Sequence, residues 1–465
     1  MTNTIDPQPF IEAMENQATI NIGIIGHVAH GKSALVRAIT GVNTIRFKEE
    51  RERNITMKIG YADAKLYKCD NAECPRPKCF KSYGSHTKGN IRCLRRECGG
   101  KMQLVRHVSF VDCPGHDVLM QNMLNGAAVM NAAILLVAAN ESCPQPQTAE
   151  HLAAVETMKL QHIVVVQNKC DLVSEDQATS SVEQIKAFTD KTSAEDASIV
   201  PISAEMGINI DAVVEHLCQN IPVPVHDYAS DPRLVVIRSF DINRAGDTLQ
   251  LDGKRTGGLK GGVAGGSITR GVLRVGDVVE IRPGLITRDS NMHIRVRPLQ
   301  TRIVSLCSES NRLHFAVPGG LIGVGTTLDP YLCRRDKLVG NILGSPNSMP
   351  KVFVELTVHY TLLRRLLGVA DVDESKHETY KQDSFGVGRL TKVSKVKKHD
   401  VLQVNVGACT GMATVVGVKD ELAKLKLERP VCADIGEALA LSRKFNGSFR
   451  LIGWAKIVKG KALVL

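Results

Sequence analysis

Two glycines, a lysine and a serine stand at Gly26-x-x-x-x-Gly31-Lys32-Ser33, within the run INIGIIGHVAHGKSALVRAI. Glycines at both ends of such a turn let the backbone N–H groups point inward and cradle phosphate oxygens, aided by the N-terminus of the following helix. In that arrangement Ala29, His30, Gly31, Lys32, Ser33 and Ala34 wrap the phosphates. Lys32 reaches the outer ones, and the Ser33 hydroxyl is a ligand for Mg²⁺. The apolar run before Gly26 supplies the strand that this chemistry needs, and the pattern after Ser33 supplies the helix.

Further along lie three short motifs, each directly behind an apolar run. Asp112-Cys113-Pro114-Gly115-His116 follows HVSFV. An Asp at a strand end suits an outer-sphere place beside Mg²⁺, and the Gly suits a backbone N–H that senses a γ-phosphate. Asn168-Lys169-Cys170-Asp171 follows HIVVVQ. A carboxylate at Asp171 can accept two hydrogen bonds from guanine, a donor pair that adenine lacks, and such a site discriminates by about 10⁴–10⁵. Ser203-Ala204-Glu205 follows IVPI, where backbone N–H groups can meet the guanine oxygen. The four motifs in this order predict a guanine-specific P-loop GTPase binding GTP and GDP with Mg²⁺. Arg53-Asn54-Ile55-Thr56 lies between the first two, so Thr56 is expected to close onto Mg²⁺ and the γ-phosphate as a switch. His116, next to Gly115, is the candidate for orienting the attacking water.

These motifs need a scaffold. The runs INIGII, HVSFVD, AAILLVAA, HIVVVQN and SIVPIS read as strands buried on both faces and alternate with helical patterns. That predicts an α/β domain with a doubly wound, mostly parallel sheet over residues 20–224, behind a flexible polar tail at 1–19. IPVPVHDYASDP breaks the pattern, and short strands with Gly-rich turns then predict a β-barrel at 233–346. After SPNSMPK a second β-barrel is expected at 350–465, interrupted by a helix-like acidic stretch, LLRRLLGVADVDESKHETYKQD.

The chain has 465 residues, 43% hydrophobic and 23% charged, which excludes a disordered or collagen-like protein. No run approaches the roughly 18 apolar residues of a membrane span, and the first twenty residues lack a secretory pattern. The net charge of +11 is concentrated. Residues 62–107 carry 11 Lys/Arg against 4 Asp/Glu, and residues 385–465 carry 15 against 6, which points to a polyanionic partner. Thirteen cysteines, an odd number, argue for reduced thiols rather than a secreted disulfide framework. Five of them form an insertion within 62–107, Cys69-x4-Cys74-x4-Cys79-x13-Cys93-x4-Cys98. Two C-x4-C pairs can hold tetrahedral Zn²⁺. Cys79 leaves the ligand choice open; Cys69, Cys74, Cys93 and Cys98 are the favoured set, and a metal-free basic loop is the alternative. Tyr61 either stacks on a nucleic-acid base or packs in the core. Arg106 and His107 read as strand-edge solvation.

GHVAHGKS, RNIT, DCPGH, NKCD and SAE, followed by two barrels, resemble the translational GTPases. GGVAGGSITRGVLRVGDVVEIRPG and the Cys-rich insertion narrow the resemblance to the γ subunits of eukaryotic translation initiation factor 2, over about residues 20–465. The resemblance implies a cytoplasmic GTPase, working with α and β subunits, that binds initiator methionyl-tRNA when GTP is bound. It implies delivery to the small ribosomal subunit, hydrolysis at start-codon recognition, a GTPase-activating protein and a guanine-nucleotide exchange factor. Archaeal members carry a zinc knuckle at the insertion. Ala29 stands where many translational GTPases have Asp, as it does in the eukaryotic γ subunits, which implies slow intrinsic hydrolysis. An elongation-type carrier, such as one specific for selenocysteyl-tRNA, is the near alternative. A regulatory GTPase module of a sulfate-activating complex and a non-catalytic scaffold are more distant ones.

Overall fold

The computed structural model describes residues 13–44, 59–115, 120–243, 260–290, 294–363, 365–370, 390–445 and 447–463. Arg53 to Thr56 and His116 lie outside them. The amino-terminal domain is built on eight strands: β1 (Ile20–Gly26), β2 (Gly60–Cys69), β3 (Phe80–Gly84), β4 (Ile91–Arg92), β5 (Lys101–Asp112), β6 (Ala132–Ala138), β7 (Ile163–Asn168) and β8 (Ile199–Pro201). Their order is β3-β2-β5-β1-β6-β7-β8, with β4 beside β5. From β5 to β8 every pairing is parallel, whereas β2 and β3 are added antiparallel at one edge.

Every residue of β1, β6 and β7 is buried, because helices cover both faces. On one face Ile20, Ile22 and Ile24 pack with Leu35, Val36 and Ile39 of α1 (Lys32–Thr40) and with residues 213, 214 and 217 near the end of the domain. On the other, Ile25, Leu135 and Val165 meet α2 (Met120–Ala127), α3 (Pro146–Thr157) and α4 (Glu175–Thr189). α5 (Ile210–Asn220) supplies Val213, Val214 and Leu217 to the first face. The expected doubly wound sheet is thus present.

After residues 222–232, which form no strand or helix, nine strands follow: β9 (Arg233–Phe240), β10 (Val263–Arg270), β11 (Leu273–Arg274), β12 (Val278–Arg288), β13 (Ile294–Ser308), β14 (Asn311–Leu313), β15 (Phe315–Ala316), β16 (Ile322–Thr326) and β17 (Ile342–Gly344). Six close into a ring, β12-β17-β9-β10-β16-β13, with β13 returning to β12. The last domain contains β18 (Lys351–Leu362), β19 (Arg365–Ala370), β20 (Leu390–Lys392), β21 (Val401–Val406), β22 (Cys409–Lys419), β23 (Leu422–Ala433), β24 (Ala438–Phe445) and β25 (Ser448–Ala462). Its closed barrel runs β18-β23-β22-β21-β24-β25. Each barrel has its own apolar core.

Two sequence expectations need correction. The helix-like stretch is a strand over Arg365–Ala370, paired with β20; Gly368 disfavours a helix, Val369 favours extended backbone, and the pairing decides the outcome. Residues 371–389 lie outside the described residues. His107 is not solvated, and Arg106 is only half-exposed. His107 is fully buried, its Nδ1 2.9 Å from Met14 O and its Nε2 2.9 Å from Ser85 Oγ. Arg106 donates to the carbonyls of Ile221 and Cys218 and so ties β5 to the end of α5.

Part of the expected tail is also built in. Ala13, Gln17, Ala18 and Thr19 are buried. Gln17 Nε2 donates to Val317 O (2.6 Å) and Gly319 O (3.0 Å), and its Oε1 accepts from Val317 N (3.0 Å), as a strand neighbour would. This segment straps the first barrel to the nucleotide domain. A second junction joins all three domains: Val129, Ile237 and Ala408 pack together with Tyr61.

Candidate functional site

The four motifs converge at one end of the parallel strands, where an open α/β sheet places its ligands. β1 ends at Gly26 (φ 144°), whose missing Cβ would lie 2.4 Å from Leu136 O. The chain turns through Ala29, at φ 65°, and Gly31, at φ 97°, before α1 begins at Lys32. A Cβ on Gly31 would sit 2.3 Å from Asn168 Nδ2, so this position cannot carry a side chain without moving the neighbouring motif. The loop leaves its first helical N–H groups without side-chain caps, the donor set that an oxyanion needs.

Lys32 Nζ donates to the loop's own carbonyls, Gly26 O (3.0 Å) and His27 O (2.6 Å). Burial pushes its ammonium down to about 8, opposed by the Asp112 carboxylate. Asp112 is fully buried at the end of β5 and its Oδ2 accepts from Ser33 Oγ (2.7 Å) and Thr44 Oγ1 (2.5 Å). A hydroxyl held by a buried carboxylate in this way fits a Mg²⁺ site in which Ser33 is ligand and Asp112 stands behind it. A Cβ added to Gly115 would lie 2.5 Å from Lys32 Nζ and 2.9 Å from Val28 N, so the second motif's backbone rests against the first.

At the other end, Asn168 staples three segments: Nδ2 donates to His30 O (2.8 Å) and Oδ1 accepts from Ala204 N (2.9 Å). Lys169 (φ 63°) turns the chain outward, and its Nζ is 3.9 Å from Glu141 Oε1. Asp171 is exposed to solvent, free to meet a base. Ser203 and Ile208 exchange both backbone hydrogen bonds, which makes residues 203–208 a tight loop. Glu205 pairs with Arg37 at 2.9 Å.

Sequence reading passed over three supports. Thr44 shares Asp112 with Ser33. His151, on α3, accepts from Gly26 N–H through Nδ1 (3.1 Å); burial holds its ring neutral, down to about 3. Glu150, beside it, accepts from Arg450 of the last barrel at 2.7 Å. No motif flags these residues, because each acts across more than sixty residues of sequence. Tyr61 is packed into the three-domain junction, beside the Arg238–Asp336 ion pair; its buried hydroxyl has no partner among the described residues, and burial raises it strongly.

The cysteine insertion forms a second cluster. The Sγ atoms of Cys69, Cys74, Cys93 and Cys98 lie within 4.8 Å of one another, with 69–98 at 3.5 Å and 74–93 at 3.9 Å. Tetrahedral Zn–S bonds of about 2.3 Å require S···S separations of about 3.8 Å, so this donor set fits zinc. Asn71 Nδ2 donates to Cys98 Sγ (3.4 Å), and the Gly100 backbone N–H holds the Cys98 thiol down to about 7. Cys79 is buried in the domain core instead.

A phosphate loop, a buried Mg²⁺-type carboxylate and a guanine-type base motif on this sheet, followed by two barrels, define an elongation-factor-Tu-like GTPase. Family models agree: the Elongation factor Tu GTP binding domain matches residues 17–223, Elongation factor Tu domain 2 matches 261–344, and Initiation factor eIF2 gamma, C terminal, matches 354–457. The chain is 55% identical over 450 residues to eukaryotic translation initiation factor 2 subunit gamma of Schizosaccharomyces pombe, covering 97% of this chain and 96% of that one. It is 53% identical over 452 residues to subunit 3 of the same factor in Drosophila melanogaster, covering 97% and 91%. The chain belongs to the γ-subunit family of eukaryotic translation initiation factor 2, and is a translation-initiation GTPase that hydrolyses GTP. Its fold is shared with a bacterial selenocysteine-specific elongation factor (TM-score 0.66, 20% identity, 96% of this chain), of which it spans 59% of the length. SelB from Methanococcus maripaludis with a GTP analogue shares it too (TM-score 0.63, 18% identity, 96% of this chain and 80% of that one). Among the described residues no helix is long and apolar enough to cross a membrane.

Proposed function

We propose that this chain carries initiator methionyl-tRNA to the small ribosomal subunit in the cytoplasm, as the GTP-binding member of a complex with α and β subunits. Hydrolysis follows start-codon recognition, stimulated by an activating protein, and an exchange factor resets the cycle. The observation that carries this reading is 55% identity over 97% of the chain to an initiation-factor γ subunit. The elongation-type alternative has only a likeness at 18–20% identity, which speaks to fold alone.

In this reading residues 29–34 hold the phosphates, with Lys32 on the outer ones and the Gly115 N–H on the γ-phosphate. Ser33 and Thr56 ligate Mg²⁺, and Asp112 orients Ser33 from behind. When bound, the ion would supply charge neutralisation to the phosphates. Asn168 and Lys169 shape the base pocket, Asp171 takes the guanine donors, and Ser203, Ala204 and Glu205 close over its oxygen. His116 orients the attacking water once a partner orders the switch. Cys69, Cys74, Cys93 and Cys98 hold structural Zn²⁺; elemental analysis of the purified chain at about one zinc per chain supports this, and none under chelator-free conditions removes it.

The deciding experiment is filter binding of charged initiator and elongator tRNA with a GTP analogue and with GDP. Tight binding of initiator tRNA in the GTP form alone, weakening steeply with salt, is the expected result. Equal affinity of the GDP and GTP forms for initiator tRNA sinks the carrier reading.

A further inference from the structure

The cysteine hairpin does more than close on itself. Its strand β3 lies along α5, where Cys79 and Phe80 enter the same core as Val214, Leu217 and Cys218. Polar contacts flank that core. Lys81 Nζ donates to both oxygens of Asp211, at 2.8 and 2.7 Å. Arg76 Nε donates to Glu215, and its Nη2 to Gln219 Oε1 at 2.7 Å. Asp211, Glu215 and Gln219 are four residues apart and share one stripe of the helix, so the hairpin grips α5 along its length. The gripped helix starts just beyond the loop assigned above to guanine. Ser203 N donates to Ile208 O (3.2 Å) and Ile208 N to Ser203 O (2.9 Å), and Asn209, the residue that caps α5, donates through Nδ2 to Pro201 O (2.7 Å), so both ends of the loop are tied to the start of the helix. A cleft of about 430 Å³ is lined by Arg37, Lys81, residues 204–207 and Asp211, so the ion pairs stand at its rim.

We infer that the cysteine hairpin is a brace for the base pocket. Lys81 and Arg76 are positioning residues that fix α5, and through it Ser203–Glu205, and the metal-organised hairpin thereby slows nucleotide release. This rests on the guanine reading of residues 203–205. Zinc enters only by fixing the hairpin that carries Arg76 and Lys81.

The test is the dissociation rate of a fluorescent GDP analogue from the full chain. Lys81→Met is expected to release it about two- to five-fold faster, the range of a partly screened ion pair acting on a loop. Lys81→Asp and Asp211→Lys should each do the same, and the charge-swapped double variant should return toward the parent rate, which a general loss of stability does not produce. Chelator-stripped chain, its zinc content checked by elemental analysis, should also release faster. Folded Lys81→Met with parental release overturns the brace, and equal rates from loaded and stripped chain overturn the metal's part in it. Asp171→Asn separates the layers. A shift to xanthosine nucleotides alongside parental release from Lys81→Met rejects the brace alone, whereas unchanged base preference rejects the pocket assignment beneath it.

Discussion

The two ends of the nucleotide site are built on different terms. At the proposed phosphate end Lys32 and Asp112 are buried, Ser33 and Thr44 both donate to one carboxylate oxygen, and the loop is closed by backbone that tolerates no Cβ. At the proposed base end Asp171 and Glu205 are exposed, and so are Leu172 and Met206, at 63% and 67%. One end is assembled in advance; the other is completed by the ligand. Preorganised donors are worth most where water is excluded, so substitutions should grade from severe to mild along this axis.

The largest effect is expected from Lys32→Met. Loss of the buried ammonium should weaken GTP and GDP on the order of 100-fold by equilibrium titration. The melting temperature of the nucleotide-free chain should hold or rise, because a buried cation carries a desolvation cost. Affinity within a few fold of the parent would break the comparison at its stronger end. Asp171→Asn comes next. GTP should weaken by about 10- to 50-fold and xanthosine triphosphate should gain, with stability within about 0.5 kcal/mol because the side chain is exposed. Competition binding with both nucleotides checks it; undiminished GTP binding refutes the base assignment.

A third carboxylate sharpens the contrast between buried and exposed acids. Asp63, on β2, is 2% exposed, and its Oδ2 accepts from Ser308 of the first barrel at 3.0 Å. Burial, reinforced by Glu309, pushes its carboxyl up to about 7. The native state keeps this proton where the unfolded chain, near 3.8, has lost it. This contribution therefore falls as pH rises from about 4 to about 7 and stays flat above. Asp63→Asn should remove that slope and raise stability at pH 8 by on the order of 1–2 kcal/mol, read from denaturant melts across pH. A slope unchanged by the substitution contradicts the burial argument. The smallest effect belongs to Arg37→Met. Its pair with Glu205 is half-exposed on one side and mostly exposed on the other, so GDP affinity should change by less than about two-fold in the same titration.

Much of the phosphate end was readable in the chain because its constraints are local. Gly26, Gly31, Lys32 and Ser33 specify one turn, and Asp112 and Asn168 stand where buried apolar runs stop. The four cysteines that converge were the favoured set, but spacing alone left Cys79 in contention. What escaped reading acts at a distance: Gln17 posing as a strand neighbour to Val317, His107 closing on Met14 and Ser85, His151 reaching Gly26. Polar residue type suggested solvent for Arg106 and His107, yet three carbonyls and a buried hydroxyl bond them within the fold. At 365–370 a Leu/Arg-rich pattern suggested a helix, and pairing with residues 390–392 overrode it. Thr56 and His116 stand on motif position alone.

Both barrels close on themselves, and this governs how other molecules can attach. A sheet with an open edge invites a visiting chain to extend it through main-chain hydrogen bonds, a mode that is sequence-tolerant and prone to runaway polymerisation. A six-membered ring offers no vacant rung. Recognition on the rings themselves then passes through side chains on their outer walls and through the connecting turns at their rims, where specificity is written residue by residue, and open edges among the described residues are left to short strands such as β14, β19 and β20. The same closure protects the finished chain, with its two strand-rich domains, from pairing with copies of itself, whereas half-finished barrels have their greatest exposure during synthesis.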